Sequence, residues 1–201
     1  WKYDYQKENL RKVSVIKNAG AGIVERAKFA IKNSRIYANY LSRSFEIGNI
    51  SVSQNKHLIA FYDGLYYSSL NSGTPTPMER INGYAELEIS PPLFAGVAAH
   101  QQSGHFYFGE YINTIKDVRI IKFCPKNRQL SVVHTFKAGV VKHIHGVFYD
   151  DFRSILWVTA GDKDEQCRIM YTDDEFKTLQ TLGEGDQSWR AVSVIPLEHG
   201  L

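Results

Sequence analysis

The chain has 201 residues, 43% of them hydrophobic and 13% aromatic, which is enough to bury a substantial core, and a single domain over residues 1–201 is expected. Its 24 basic and 21 acidic side chains give a formal charge of +3 and are scattered along the chain, so no basic stripe is present to track phosphates and nucleic acid is not an expected partner. No run approaches the roughly 18 apolar residues that a membrane helix needs, so no membrane span is expected.

Four times along the chain a small residue precedes a β-branched one at the head of a short apolar run: Asn49-Ile50, Gly96-Val97, Gly146-Val147 and Ala191-Val192. The second residues of these pairs lie 47, 50 and 45 positions apart, which is the period of a β-propeller blade. Residues 11–48 form a less regular copy, with strand-like runs at Val13–Ile16, Phe29–Ile31, Ile36–Ala38 and Phe45–Ile47. The second copy spans 49–90, with further runs at His57–Tyr62, Leu65–Tyr67 and Met78–Ile81. The third spans 96–137, with runs at His105–Phe108, Val118–Ile121 and Leu130–Val133. The fourth spans 145–185, with Ile155–Val158, Arg168–Tyr171 and Leu179–Leu182. A fifth opens at Trp189 and continues to Leu201. The runs are short, rich in Val, Ile, Phe and Tyr, and separated by turn formers such as Asp63-Gly64 and Gly183-Glu184-Gly185. Four short strands per unit predict an all-β propeller of four-stranded antiparallel blades, with inner strands starting near residues 50, 97, 147 and 192. The final run either closes the ring against the amino-terminal copy or belongs to a longer chain. Cys124 and Cys167 lack the spacing of a zinc site and are expected to be isolated thiols.

Between the third and fourth runs of the last full unit lies Thr172-Asp173-Asp174-Glu175-Phe176-Lys177-Thr178-Leu179. This resembles the Asp-box, Ser/Thr-x-Asp-x-Gly-x-Thr-Trp, with Thr172, Asp174 and Thr178 matching, Phe176 in the glycine position and Leu179 in place of Trp. A short carboxylate or hydroxyl there accepts backbone N–H bonds in a tight turn, so the motif is a structural device. A degraded second copy stands at Ser69–Gly73. The region 49–195 accordingly resembles the sialidase-like, BNR-repeat propellers. That resemblance implies a carbohydrate-directed protein, either a glycosidase relative or a glycan-binding module. The amino-terminal Arg-Ile-Pro signature of sialidases is absent, its nearest string being Arg35-Ile36-Tyr37. A noncatalytic scaffold with a protein partner is the alternative.

Propeller ligands sit at the mouth of the central channel, where loops lead into the inner strands. Lys142-His143-Ile144-His145 leads into one such strand and Ser188-Trp189-Arg190 into the next. Strand alternation puts His143 and His145 on one face, where two imidazoles can ligate a metal, bind a carboxylate when protonated or move protons. No third ligand is close to them in sequence, so no metal and no cofactor is expected. Trp189 offers a flat apolar face to a sugar ring and Arg190 a bidentate hold on a carboxylate. Glu110 and Asp162 each follow a glycine at the end of a second strand and are the candidate acid and base.

Overall fold

The computed structural model describes residues 48–70 and 76–201, together with 2–4, 9–11, 14–16 and 23. Among the described residues it is an all-β protein built on three four-stranded antiparallel blades. The short strands β1 (Lys2–Asp4) and β2 (Asn9–Arg11) pair with each other. The first blade runs β4 (Asn49–Val52), β5 (His57–Phe61), β6 (Leu65–Ser69) and β7 (Thr76–Arg80), each strand antiparallel to the next. A further strand, β3 (Ser14–Ile16), joins its outer edge parallel to β7. The second blade is β8 (Val97–Ala99), β9 (Phe106–Gly109), β10 (Val118–Cys124) and β11 (Gln129–Phe136), and the third is β12 (Ile144–Asp150), β13 (Ile155–Ala160), β14 (Arg168–Thr172) and β15 (Gln180–Glu184). The crossover from the first blade to the second carries a four-residue helix, α1 (Gly83–Glu86). Strand order equals chain order in every blade, as in a propeller, and β8 packs against both β4 and β12.

The blades are held face to face by alternate side chains. Along β9, Phe106 and Phe108 join Phe61, Tyr67 and Phe123 in a core shared with the first blade. Tyr107, between them, points the other way and joins Ile144, Val147, Leu156 and Val158 in a core shared with the third. Period-two alternation in one fully buried strand therefore supplies both interfaces. The small residues of the repeated pairs have a packing reason. At the crossing of β8 and β12, Val147 N donates to Gly96 O at 3.2 Å, and a Cβ on Gly96 would sit 2.6 Å from His145 O. In the first blade Asn49 acts instead through its side chain, donating from Nδ2 to Leu93 O at 2.9 Å.

Inner strands start at 49, 97 and 144, close to the expected 50, 97 and 147. The expected strand after Trp189 is not formed. Gln187–Trp189 is a 3-10 turn, and downstream of it Leu197 and Gly200 make only an isolated bridge. No described strand lies alongside this segment to accept its ladder, and Val192, Ile195 and Leu197 stay exposed. In the irregular copy over 11–48, the described strand Ser14–Ile16 is an addition to the first blade's outer edge, while the runs at 29–31, 36–38 and 45–47 lie outside the described residues, as does most of the turn at 69–73. Both cysteines are free thiols.

Candidate functional site

The turn Thr172–Thr178 is closed by its own side chains. Asp174 Oδ1 accepts from Thr178 N at 2.9 Å and from Thr172 Oγ1 at 2.8 Å, and Oδ2 accepts from Thr178 Oγ1 at 2.8 Å. Phe176, in the position where the motif has glycine, adopts φ +72, the left-handed region that glycine favours. Its ring is buried against Tyr107, with centroids 5.5 Å apart. Glu175 accepts from His105 Nδ1 at 3.0 Å and from the Tyr107 hydroxyl. The turn thus clamps the third blade onto the second, a role for His105 that the sequence did not suggest.

A second cluster lies where β12 begins. His143 precedes the strand, and its carbonyl accepts from Gly161 N at 3.2 Å, which sets Asp162 beside it. Gly161 has φ +88, and a Cβ there would meet Gln166 O at 2.0 Å, so only glycine closes this turn. A bulge between Ile144 and Gly146 brings His145 round to the same side. The centroids of the two rings lie 5.0 Å apart. His143 Nε2 lies 3.2 Å from His145 Nε2, and the two stand 3.4 and 3.3 Å from Asp162 Oδ1. The outer ring nitrogens face backbone carbonyls, His143 Nδ1 that of Ile112 at 3.1 Å and His145 Nδ1 that of Ala191 at 2.8 Å. Tyr111 stacks on His143 at 4.0 Å. Both imidazoles are buried. The third donor that is missing near His143 and His145 in sequence arrives as Asp162, and among the described residues these three could hold a metal ion.

Two permanent cations complete the cluster. Lys142 Nζ donates to Asp162 Oδ2 at 3.1 Å and Arg190 Nη2 to Oδ1 at 3.2 Å. Burial by itself would raise the Asp162 pKa, but Lys142 and the imidazole contacts outweigh it and hold the carboxyl down at about 2. Burial also lowers the His143 pKa, and among the groups that lower the Asp162 pKa Lys142 comes first. Lys142 is the member the sequence did not single out. Its signal was position, one residue ahead of His143 on the same loop.

The remaining expected site residues lie elsewhere or do other work. Glu110 is fully buried, and none of its hydrogen bonds reaches the imidazole pair. Oε1 accepts from Ser90 N at 2.9 Å and Arg119 Nη2 at 2.7 Å, and Oε2 from Arg119 Nε at 2.8 Å and Arg119 N at 3.1 Å. Burial would raise its pKa, yet the guanidinium and the two backbone N–H groups outweigh that and hold it below the ordinary glutamate value. Arg119 also donates to Leu87 O and Glu88 O, so the pair staples the crossover to the second blade. Trp189 lies against β15, where a Cβ on Gly183 would fall 2.3 Å from its ring. One side of the indole is thereby covered by sheet.

No family model and no curated protein matches this chain. Among solved structures it is similar to a chain in a crystal structure of a nidogen/laminin complex, at 15% identity and a TM-score of 0.48. The match covers 69% of this chain and 48% of that one, so this chain spans about half the length of its neighbour. These comparisons do not show the BNR, Asp-box or sialidase-like family that the turn motif resembles.

Proposed function

We propose that this chain is a noncatalytic propeller-type interaction module that docks an acidic group of a protein partner at the Lys142–Arg190 rim. The observation that carries this reading is the unequal fate of the two candidate carboxylates. Glu110 spends its acceptors on Arg119 and Ser90 and has no face left for a substrate. Hydrolysis of a glycoside by the usual route takes two carboxyl groups flanking the bond, and Asp162 alone is within reach of the surface. Around it stand two cations with side chains 40% and 46% exposed, each giving one bond to Asp162 and keeping further N–H donors turned to solvent. A second carboxylate is the group that such donors complete. Trp189, with one side on Gly183, favours packing over a sugar platform.

The test is fluorescence polarisation with a labelled polyglutamate peptide. The Lys142→Ala, Arg190→Ala double variant should weaken binding at least about tenfold, or about 1.4 kcal/mol, and added salt should weaken the wild type. A neutral peptide of equal length should bind no better to the wild type than to the variant. Cleavage of a chromogenic glycoside by the intact chain, lost in Asp162→Ala, would overturn the proposal in favour of a glycosidase, and binding to a glycan array would overturn it in favour of a lectin.

A further inference from the structure

The three lone pairs at the start of β12 converge without a proton between them. Backbone carbonyls only accept, so Ile112 O and Ala191 O fix the proton of each imidazole on Nδ1 and leave both Nε2 atoms as acceptors. Those two nitrogens and Asp162 Oδ1 then form a triangle with sides of 3.2, 3.3 and 3.4 Å, all three members electron-pair donors. Three acceptors at contact distance repel one another unless a cation lies among them. A proton on either Nε2 would place an imidazolium where the rings are 0% and 3% exposed.

The size of the triangle selects the cation. Ligands at 2.0–2.1 Å around a tetrahedral ion stand about 3.3–3.4 Å apart, the edge of the tetrahedron being about 1.63 bond lengths. Neighbouring ligands of an octahedral ion at the same distance would stand about 2.8–3.0 Å apart. The observed sides match the tetrahedron. Two imidazoles and one carboxylate are also a donor set for a borderline ion rather than for calcium or magnesium. The outer contacts have the form that metal ligands require: each imidazole is oriented by a carbonyl through Nδ1, and Asp162 is oriented by Lys142 and Arg190.

We propose that His143 Nε2, His145 Nε2 and Asp162 Oδ1 bind one divalent zinc-class ion in tetrahedral geometry, with the fourth position on the exposed side where Asp162 reaches solvent. The ion ties the loop before β12, the turn after β13 and the segment after the Gln187–Trp189 turn into one unit. Its fourth ligand is water or a carboxylate presented at the Lys142–Arg190 rim. The site stands on the triangle alone and does not depend on the acidic partner.

The experiment uses the whole chain, treated with a chelator and freed of it, and titrated with Zn2+ alone by calorimetry and with Co2+ by visible absorption. Wild type should take up one equivalent of zinc and give the intense cobalt band of a tetrahedral site. Asp162→Asn should weaken zinc at least tenfold, His145→Gln should abolish the band, and His134→Gln, which alters an imidazole elsewhere, should change neither. Circular dichroism establishes that each variant is folded, and Asp162→Asn, at a partly exposed turn, serves if His145→Gln does not fold. No zinc uptake by wild type, an octahedral cobalt spectrum, or equal weakening by His134→Gln overturns the site. Repeating the polyglutamate titration on the metal-free chain separates the two proposals: peptide binding without zinc uptake sinks the metal site alone, and zinc uptake without peptide binding sinks the docking reading alone.

Discussion

Glu110 and Asp162 look alike in sequence, each a carboxylate after a glycine at the end of a second strand, and the fold gives them opposite work. The difference is a neighbour that only register reveals. Ile120 of β10 pairs with Gly109 of β9, so Arg119 is delivered opposite Glu110. No spacing rule along the chain joins residues 110 and 119 into a fork and carboxylate. The consequence is measurable. Glu110→Ala leaves the Arg119 guanidinium, 23% exposed, without its partner and should lower stability by about 3 kcal/mol, as when one member of a buried pair is removed. Urea denaturation reads it, and an unchanged midpoint would mean that the pair contributes nothing. The pH dependence has a definite sign. The folded-state pKa of Glu110 lies below its unfolded value, so its contribution is complete above the unfolded glutamate value of about 4.3 and is lost as pH falls from there through the folded pKa. In Glu110→Gln that component of the acid loss should disappear. Asp150 follows the same logic and was not foreseen. Buried at the β12–β13 hairpin, it accepts from Trp157 Nε1 at 3.0 Å and Arg153 Nη1 at 2.8 Å, and these outweigh the burial that would raise its pKa.

At the scale of the element, the turns decide how the blades are joined and where the cluster sits. The Thr172–Thr178 turn was readable because its hydrogen bonds are local: hydroxyl, carboxylate and hydroxyl at fixed offsets close it whatever lies around. The departure at Phe176 was visible too, but its reason was not, since Tyr107 lies 69 residues away in chain and on another blade. The left-handed backbone at Phe176 makes an unusual prediction. Removing the buried ring costs about 3–5 kcal/mol. Alanine keeps the backbone strain of about 1–2 kcal/mol, which glycine relieves, less roughly 0.4–1 kcal/mol for the looser unfolded chain. Phe176→Gly should therefore be less destabilising than Phe176→Ala by about 0.5–1 kcal/mol, the reverse of the usual order, and denaturation midpoints of the two variants decide it. Gly161 and Gly185 provide a matched pair. Both have positive φ, yet a Cβ on Gly185 meets nothing within 4 Å whereas one on Gly161 strikes Gln166 O. Gly185→Ala should cost the backbone strain alone, about 1–2 kcal/mol, and Gly161→Ala distinctly more, because the turn that presents Asp162 has to open. Equal losses would show that the Gly161 turn yields without penalty.

For the whole molecule, the blade period was the strongest signal, because a period of 45–50 residues reports where inner strands start. The segment after Trp189 shares the apolar pattern and not the strand, since a strand needs a neighbour to take its N–H and C=O groups and the described structure offers none there. The first blade keeps a small cluster of its own, Leu58, Ala60, Tyr66 and Met78, but the two larger cores are shared between blades. The second blade lends Phe106, Phe108 and Phe123 to one interface and Tyr107, Val118 and Ile120 to the other, so loosening one face of β9 loosens the strand that holds the opposite face. Phe108, stacked edge-on against Phe61 at 4.9 Å, belongs to the first interface. Phe108→Ala should cost about 3–5 kcal/mol, and because β9 is common to both cores the loss should be felt by all three blades. Amide hydrogen exchange under conditions that report global opening measures this directly. The amides of β13, on the far blade, should speed up by the same factor as those of β5, which lies beside the substituted ring. If β5 accelerates while β13 keeps its protection, the blades unfold as independent units and the shared strand does not couple them.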